Sequence, residues 1–144
     1  MSQKFRLYSK ACLTQAAADP SHVEILTDDI ILLACDSTYV ADLVADQFID
    51  DIGGTPIISR TTPLTGKTVT PTAAGAVVNS NDATFPSVPS GPQITQVIIA
   101  KDTGDDTTSP LMAVIDAGTG FPDTPNGSDV VFTPDPGTYK LFAV

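Results

Sequence analysis

The side chain best suited to catalysis is His22, because it is the only histidine in the 144-residue chain. A Ser-His-Asp or Cys-His mechanism would have to run through it. His22 follows Asp19-Pro20-Ser21, a sequence that favours a turn. The chain also has no G-x-S-x-G motif that would present a nucleophile. We therefore predict no catalytic residue, and we expect that the protein is not an enzyme.

Cysteine and histidine are too sparse for a zinc site. Zinc ligands occur at close spacings, whereas Cys12 and Cys35 stand 23 positions apart and His22 is alone. Both cysteines lie in apolar, strand-like runs, so we predict buried thiols kept reduced in a cytoplasm rather than a disulfide. We predict no cofactor and no metal ligand.

Carboxylates are plentiful, and residues 102–106 (Asp-Thr-Gly-Asp-Asp) superficially resemble a calcium loop. The segment lacks the 12-residue ligand register and the terminal glutamate of such loops. Aspartate and threonine side chains readily hydrogen-bond to the backbone two residues ahead. Because the segment lies between two apolar runs, we predict a strand-to-strand loop held by Asp-Thr turn bonds, without a metal.

A second acidic group, Asp42, Asp46 and Asp50, recurs at intervals of four residues. The apolar residues around it recur at three and four residues: Val40, Leu43, Val44, Phe48 and Ile52. This period predicts one short helix over residues 39–52, which begins after residues 36–38 and ends at residues 53–54. The three aspartates would form one stripe. That stripe is either a solvated face or a contact for a basic patch on a partner.

Charge is distributed unevenly along the chain, whose net charge is -10. Three of its seven basic residues, Lys4, Arg6 and Lys10, fall in the first ten positions, which hold no acid. The acidic remainder repels phosphate backbones, so we predict no nucleic-acid partner. Residues 1–10 are interpreted in one of two ways. They are an arm that reaches an acidic neighbour through its three cations, or a strand that its charges keep soluble.

The chain is predicted to form one domain over residues 1–144. No break in composition divides it, and no unit repeats at the period of a solenoid or propeller. It contains no apolar stretch of about 18 residues, and its start lacks the apolar core and cleavage signal of a secretory leader. We therefore expect no membrane association.

Prolines and glycines interrupt the chain about every eight to twelve residues, a spacing typical of an all-β sandwich or barrel. The longest apolar run, residues 29–35, predicts a central strand with both faces covered. Prolines are expected at the ends of strands. We predict an antiparallel β-sandwich, jelly-roll-like, with the one helix and with the C-terminus tied into a sheet. Further strands are predicted at 4–14, 23–26, 57–58, 67–70, 76–78, 83–85, 94–100, 111–116, 130–133 and 138–144.

Six segments of the chain carry a resemblance to known proteins. They are LTDDIILLACDSTYVADLVADQFIDDIGG at 26–54, LTGKTVT at 64–70, DATFPSV at 82–88, VIIAKDTGDDTTSPLMAVID at 97–116, TGFPDTPNG at 119–127 and YKLF at 139–142. These segments resemble a family of small virion structural proteins from tailed bacteriophages. The likeness covers most of the chain after residue 26, and it implies a β-rich protein present in many copies. It carries no catalytic signature.

The resemblance, together with the uneven distribution of charge along the chain, leads us to expect a capsid decoration or cement protein. It would be made in the host cytoplasm, lie on the capsid surface and bridge major capsid protein subunits. It would also contact neighbouring copies of itself as a homodimer or homotrimer. Two alternatives stay open. One is a neck or tail component, and the other is a ligand- or glycan-binding β-sandwich of a fibre, for which Tyr39, Phe121 and Tyr139 are the candidate exposed aromatics.

Overall fold

The computed structural model describes residues 4–7, 23–73, 75–117, 122–137 and 140–143. Within these ranges the chain forms ten β-strands and one short 3-10 helix at Ile49–Asp51. The strand pairings there are antiparallel, so the predicted mainly-β, antiparallel fold is confirmed. The strands are β1 (Lys4–Leu7), β2 (Ile30–Cys35), β3 (Ile57–Arg60), β4 (Thr68–Thr72), β5 (Gly75–Asn79), β6 (Ala83–Phe85), β7 (Gln96–Lys101), β8 (Leu111–Ala117), β9 (Val130–Phe132) and β10 (Phe142–Ala143).

Strand β2 lies within the larger sheet, whose order is β1-β8-β7-β2-β3. Successive residues of a strand point to opposite faces, and both faces of β2 are apolar. One face carries Ile30, Leu32 and Ala34, and the other carries Ile31, Leu33 and Cys35. All six residues are buried. The prediction of a strand covered on both faces is therefore confirmed, although the middle strand of the five is β7.

Two smaller sheets, of order β10-β5-β4 and β6-β9, contribute to one core with the larger sheet. Val78 of β5, Phe85 of β6 and Phe142 of β10 join Leu32 and Ile99 in that apolar cluster. The arrangement is β-sandwich-like, whereas jelly-roll connectivity stays a prediction. Strand β10 pairs with β5, which confirms that the C-terminal segment is tied into a sheet.

A loop, rather than a sheet, covers the opposite face of the larger sheet. This loop connects β2 to β3 and buries Tyr39, Ile49 and Ile52 in the second apolar cluster, together with Leu33 and Ile98. Burying an apolar side chain of this size contributes about 1.5–3 kcal/mol. The loop therefore packs as part of the fold, against the larger sheet.

The helix predicted over residues 39–52 is wrong. The segment forms turns followed by the 3-10 helix at Ile49–Asp51. Aspartate side chains compete for the backbone N–H groups that an α-helix would use. The carboxylate of Asp42 accepts hydrogen bonds from the N–H groups of Val44 and Ala45, and that of Asp51 accepts those of residues 47 and 48. The carboxylate of Asp46 likewise accepts the N–H of Asp42, so three aspartates within ten residues bond to backbone groups in place of the helix that the apolar spacing suggested.

The structure also tests three smaller predictions about strands. Residues 23–26 form no strand, because a turn begins there, with the Asp28 N–H donating to the Glu24 carbonyl at 2.8 Å. Pro71 lies inside β4 rather than at its end. It is tolerated because β4 is an edge strand, where a missing N–H breaks no ladder. Of the predicted first strand, residues 4–7 are confirmed, and residues 8–14 lie outside the described residues.

Candidate functional site

The loop of residues 36–51 carries five aspartates and no basic residue, and we call it the acidic loop. Its start is fixed from inside the protein. The buried amide of Gln96 donates to the carbonyl oxygens of Asp36 at 3.0 Å and Tyr39 at 2.8 Å. The Asp36 N–H in turn donates to the Pro56 carbonyl at 3.0 Å. Both backbone and side-chain hydrogen bonds therefore hold the loop where it leaves β2.

A ring of hydrogen bonds shapes the exposed part of the acidic loop. The Tyr39 hydroxyl donates to Oδ2 of Asp46 at 2.6 Å, and the Asp42 N–H donates to the same oxygen at 3.1 Å. The Asp46 N–H returns a hydrogen bond to the Asp42 carbonyl at 3.0 Å. Residues 39–46 are thus closed on themselves, which reduces the conformational entropy that a binding partner would have to remove.

The pKa of Asp42 also reflects this ring. Its Oδ1 accepts the N–H groups of Ala45 at 2.9 Å and Val44 at 3.0 Å. These two hydrogen bonds favour the charged carboxylate and lower its pKa below the ordinary value, although the side chain is fully exposed. Asp42 therefore stays negatively charged to a more acidic pH than an ordinary aspartate would.

The acidic loop exposes two valines. Val40 is 84% exposed and Val44 is 72% exposed, and both lie within the closed ring. The residues between them alternate: Ala41 and Leu43 are partly buried against the second apolar cluster, whereas Asp42 is exposed. The exposed surface is thus an apolar pair with a carboxylate between its members. We call this Val-Asp-Val surface the valine tip.

The second half of the acidic loop is anchored to the neighbouring loop between β7 and β8. The Ile49 N–H donates to the Ser109 carbonyl at 2.9 Å, and the Leu111 N–H donates to the Gln47 carbonyl at 2.9 Å. Asp50 is exposed on the 3-10 helix that follows. The acidic loop is consequently fixed at both ends, and the valine tip is among its exposed parts, together with residues 37, 38, 45, 50 and 51.

The neighbouring loop, residues 102–110, confirms the predicted Asp-Thr turn bonds. The carboxylate of Asp105 accepts the Thr107 N–H at 2.9 Å and its hydroxyl at 2.7 Å, and the Asp102 carboxylate accepts the Gly104 N–H at 2.9 Å. The Thr107 side chain and backbone hydrogen bonds lower the pKa of Asp105. These carboxylates therefore define the local backbone geometry. Among the residues that the structure describes, no group of three or more His, Cys, Asp or Glu side chains is placed to hold a metal ion.

The predicted partner-binding residues are distributed over different parts of the molecule. Lys4 and Arg6 lie on β1, at the edge of the larger sheet opposite β3. Lys10 lies outside the described residues. Asp42 and Asp46 are brought together, but in the hydrogen-bonded ring rather than in a helical stripe with Asp50. A partner role for all six residues stays a prediction.

The remaining candidate residues from the sequence are aromatic residues, cysteines and one histidine. Tyr39 is buried and its hydroxyl is hydrogen-bonded, so it is not the exposed aromatic that a glycan platform would need. Cys35 is a buried free thiol, as predicted. Burial chiefly, and the nearby charge of Asp36 next, raise its pKa to about 12. Residues Cys12, His22, Phe121 and Tyr139 lie outside the described residues.

The valine tip was missed by reasoning from the sequence. A period of three to four residues placed Val40 and Val44 with the buried side chains of a helix. In the structure the burial alternates instead, with positions 40, 42 and 44 exposed and positions 41 and 43 partly buried. Because four of these five residues are apolar, the sequence carries no signal that shows which of them face solvent.

No helix in the described ranges is long and apolar enough to cross a membrane. The chain matches no known protein-family model, and a search of curated proteins finds none significantly similar to it.

Proposed function

We propose that this protein is a virion structural protein of a tailed bacteriophage. Its most specific role would be decoration of the capsid, where it bridges and stabilises major capsid protein subunits. Three features support the proposal: the resemblance of residues 26–54 and 64–142 to small virion proteins, the β-sandwich-like body and the acidic charge. The residues that carry the resemblance include no catalytic constellation.

The valine tip is the observation that carries the proposal. It presents two β-branched apolar side chains, and a ring of hydrogen bonds centred on Asp46 holds the backbone beneath them. Apolar side chains form the buried centre of a protein–protein interface, and polar groups surround them. Asp42 lies between the two valines, so the matching surface is an apolar pocket bordered by lysine or arginine. Complementary charges of this kind set register and speed encounter.

A contact as small as the valine tip is better suited to a repeating capsid lattice than to an isolated complex. Fully burying a valine contributes about 1.5–3 kcal/mol, so two valines supply a few kcal/mol before the cost of association is subtracted. Such a contact is weak alone. On a capsid, each copy would contact more than one subunit. Several such contacts together bind more strongly than one, although no single contact becomes stronger.

The test is attachment of purified protein to phage particles assembled without it. We expect wild-type protein to bind, and the double variant Val40→Ser/Val44→Ser to bind with a dissociation constant at least about tenfold higher, which corresponds to about 1.4 kcal/mol. The matched control is Val131→Ser, because Val131 is also an exposed valine, 57% exposed, but lies on β9. All three proteins should have the same circular dichroism spectrum and melting temperature.

Each possible outcome of this experiment tests a different part of the proposal. Equal occupancy for wild type and the double variant would show that the valine tip is not the interface. Failure of the wild-type protein to attach to any particle would overturn the decoration role. A low copy number per particle, with density at the portal end, would favour the neck or tail alternative. Binding on a glycan array would favour the fibre alternative.

A further inference from the structure

Strand β4 is an edge strand that is open to solvent on both faces. It pairs with β5 alone in the sheet of order β10-β5-β4, and all five of its residues are exposed. Val69, at its second position, is 40% exposed. An exposed edge of this kind offers its unpaired backbone N–H and C=O groups to a further strand.

Hydrogen bonding on the far side of β5 shows which backbone groups of β4 face the open edge. The Val78 carbonyl accepts the N–H of Leu141, which precedes β10, at 3.0 Å, so Val78 directs its carbonyl away from β4. Val69 lies opposite Val78, and Pro71 lies opposite Ala76. Hydrogen-bonded and non-hydrogen-bonded pairs alternate along an antiparallel ladder. The N–H and C=O of Val69 and the C=O of Pro71 therefore point to the open edge.

The position of Pro71 agrees with this assignment. Its missing N–H is absent from the open edge, so the ladder between β4 and β5 continues to the pair formed by Thr72 and Gly75. At its centre the open edge consequently has one donor, the N–H of Val69, and two acceptors. Any partner strand has to match this uneven pattern.

The charge distribution favours a second copy of the chain as the partner of β4. Residues 68–81 include no charged side chain, whereas the whole chain has a net charge of -10. Two copies repel each other wherever their acidic surfaces meet, and the acidic loop is one such surface. The edge of β4 allows two copies to touch without that repulsion, and it has no charge to attract an oppositely charged protein.

We propose that β4 pairs with β4 of a second copy, antiparallel and across a two-fold axis, with the two Val69 residues opposite each other. The two Val69 residues then exchange two N–H···O=C hydrogen bonds, and each Pro71 faces residue 67 of the other copy. Thr68 of each copy lies opposite Thr70 of the other, and such threonine pairs stabilise a sheet. A shift of two residues would leave both Val69 carbonyls without a donor, because Pro71 has none. A two-fold contact uses the edge of both copies and therefore ends at a dimer.

Sedimentation equilibrium of the full-length chain tests the proposal. Because the contact is small, we expect a reversible dimer with a dissociation constant of about 0.1–1 mM. Val69→Lys would place two like charges opposite each other, so its dissociation constant should be at least about tenfold higher. The matched control is Val131→Lys, which has the same net charge but changes an exposed valine of β9, and it should dimerise as the wild type does. All three proteins should have the same melting temperature.

Pro71→Thr tests the pairing in the opposite direction, because it restores the missing N–H on the open edge. Each copy then donates one more hydrogen bond, to the carbonyl of residue 67 of the other copy. The dissociation constant of the dimer should fall by at least about fivefold. A constant that stays the same would contradict the register centred on Val69.

Disulfide formation between copies reports the register directly. Thr68→Cys and Thr70→Cys are made separately in a Cys12→Ser background, and the folded proteins are oxidised alone and as a mixture. The mixture should form a mixed disulfide several-fold faster than either variant forms its own, because residues 68 and 70 of different copies are directly opposed. Equal rates would overturn the proposed register.

Two results would overturn the pairing itself. One is wild-type protein that stays monomeric up to about 1 mM, and the other is Val69→Lys protein that dimerises as tightly as the wild type. Neither result affects the proposed attachment to particles, because the valine tip lies on the loop between β2 and β3 and is measured separately.

Discussion

The hydroxyl of Tyr39 donates a hydrogen bond of 2.6 Å to the carboxylate of Asp46, seven residues further along the chain. Tyr39 is buried against the larger sheet, whereas Asp46 is partly exposed, so this bond joins the apolar core to the surface of the acidic loop. It closes the ring that holds Val40 and Val44 outward. The buried Tyr39 therefore contributes to the shape of the candidate interface above it, together with the backbone hydrogen bonds of Asp42 and Asp46.

Replacing Tyr39 with phenylalanine should loosen the acidic loop without unfolding the domain. The ring of the side chain remains buried, and only the hydrogen bond to a carboxylate is lost. We expect a loss of about 1 kcal/mol in unfolding free energy, together with faster amide hydrogen exchange at Asp42, Val44 and Ala45. Asp46→Asn is the control, because an amide oxygen still accepts both hydrogen bonds and should preserve slower exchange. Exchange unchanged in Tyr39→Phe would show that the ring does not depend on this bond.

The salt bridge between Arg60 and Asp106 should contribute to stability in a pH-dependent way. The guanidinium of Arg60 donates from both terminal nitrogens to the two carboxylate oxygens, at 2.7 Å each. This hydrogen bonding lowers the pKa of Asp106 below its unfolded value of about 3.9. The stabilisation is therefore fully present above about pH 3.9 and is lost as the pH falls through the lower, folded-state pKa.

Because both side chains are partly exposed, the magnitude should be modest, about 0.2–1 kcal/mol. Urea unfolding of the wild type and Asp106→Asn should differ by that amount at pH 7, and the difference should shrink as the pH falls below about 3.9. Asp82→Asn, at another exposed aspartate, is the control. A difference that grows on acidification would contradict the assignment.

Introducing a charge into β2 should unfold the domain, whereas the same change in the preceding turn should not. Leu32 is fully buried, so Leu32→Asp would place an unpaired carboxylate in the core at a cost of several kcal/mol. Leu26 is 60% exposed, so Leu26→Asp should change the unfolding free energy by no more than about 0.5 kcal/mol. Thermal unfolding monitored by circular dichroism measures both. A cooperative melt of Leu32→Asp near the wild-type temperature would mean that β2 is not part of the core.

The thiol of Cys35 should be unreactive in the folded protein. It is buried on the face of β2 that the acidic loop covers, and its pKa is raised to about 12, so little nucleophilic thiolate forms at pH 8. In a Cys12→Ser background, Cys35 is the single cysteine, and we expect labelling by a thiol reagent only as the protein unfolds in urea. Rapid labelling without denaturant would show that the acidic loop opens readily.

Much of the fold could be predicted from the sequence, because strand signals are local. Proline and glycine mark the turns, and the apolar run at residues 29–35 needs both faces covered wherever it lies. The Asp-Thr turn bonds of residues 102–106 were predictable for the same reason, since each carboxylate bonds to backbone only two residues away. Local sequence signals were therefore sufficient to predict the mainly-β fold and the character of this loop.

The form of the acidic loop depends on packing between parts of the chain that are distant in sequence. Four of residues 40–44 are apolar, so local preference does not show which of them are buried. The choice depends on the larger sheet, whose second face offers Leu33 and Ile98 to the side chains of Tyr39 and Ile49. That apolar face exists only once distant strands have paired. Packing against it, together with the aspartate hydrogen bonds, directs the two valines outward.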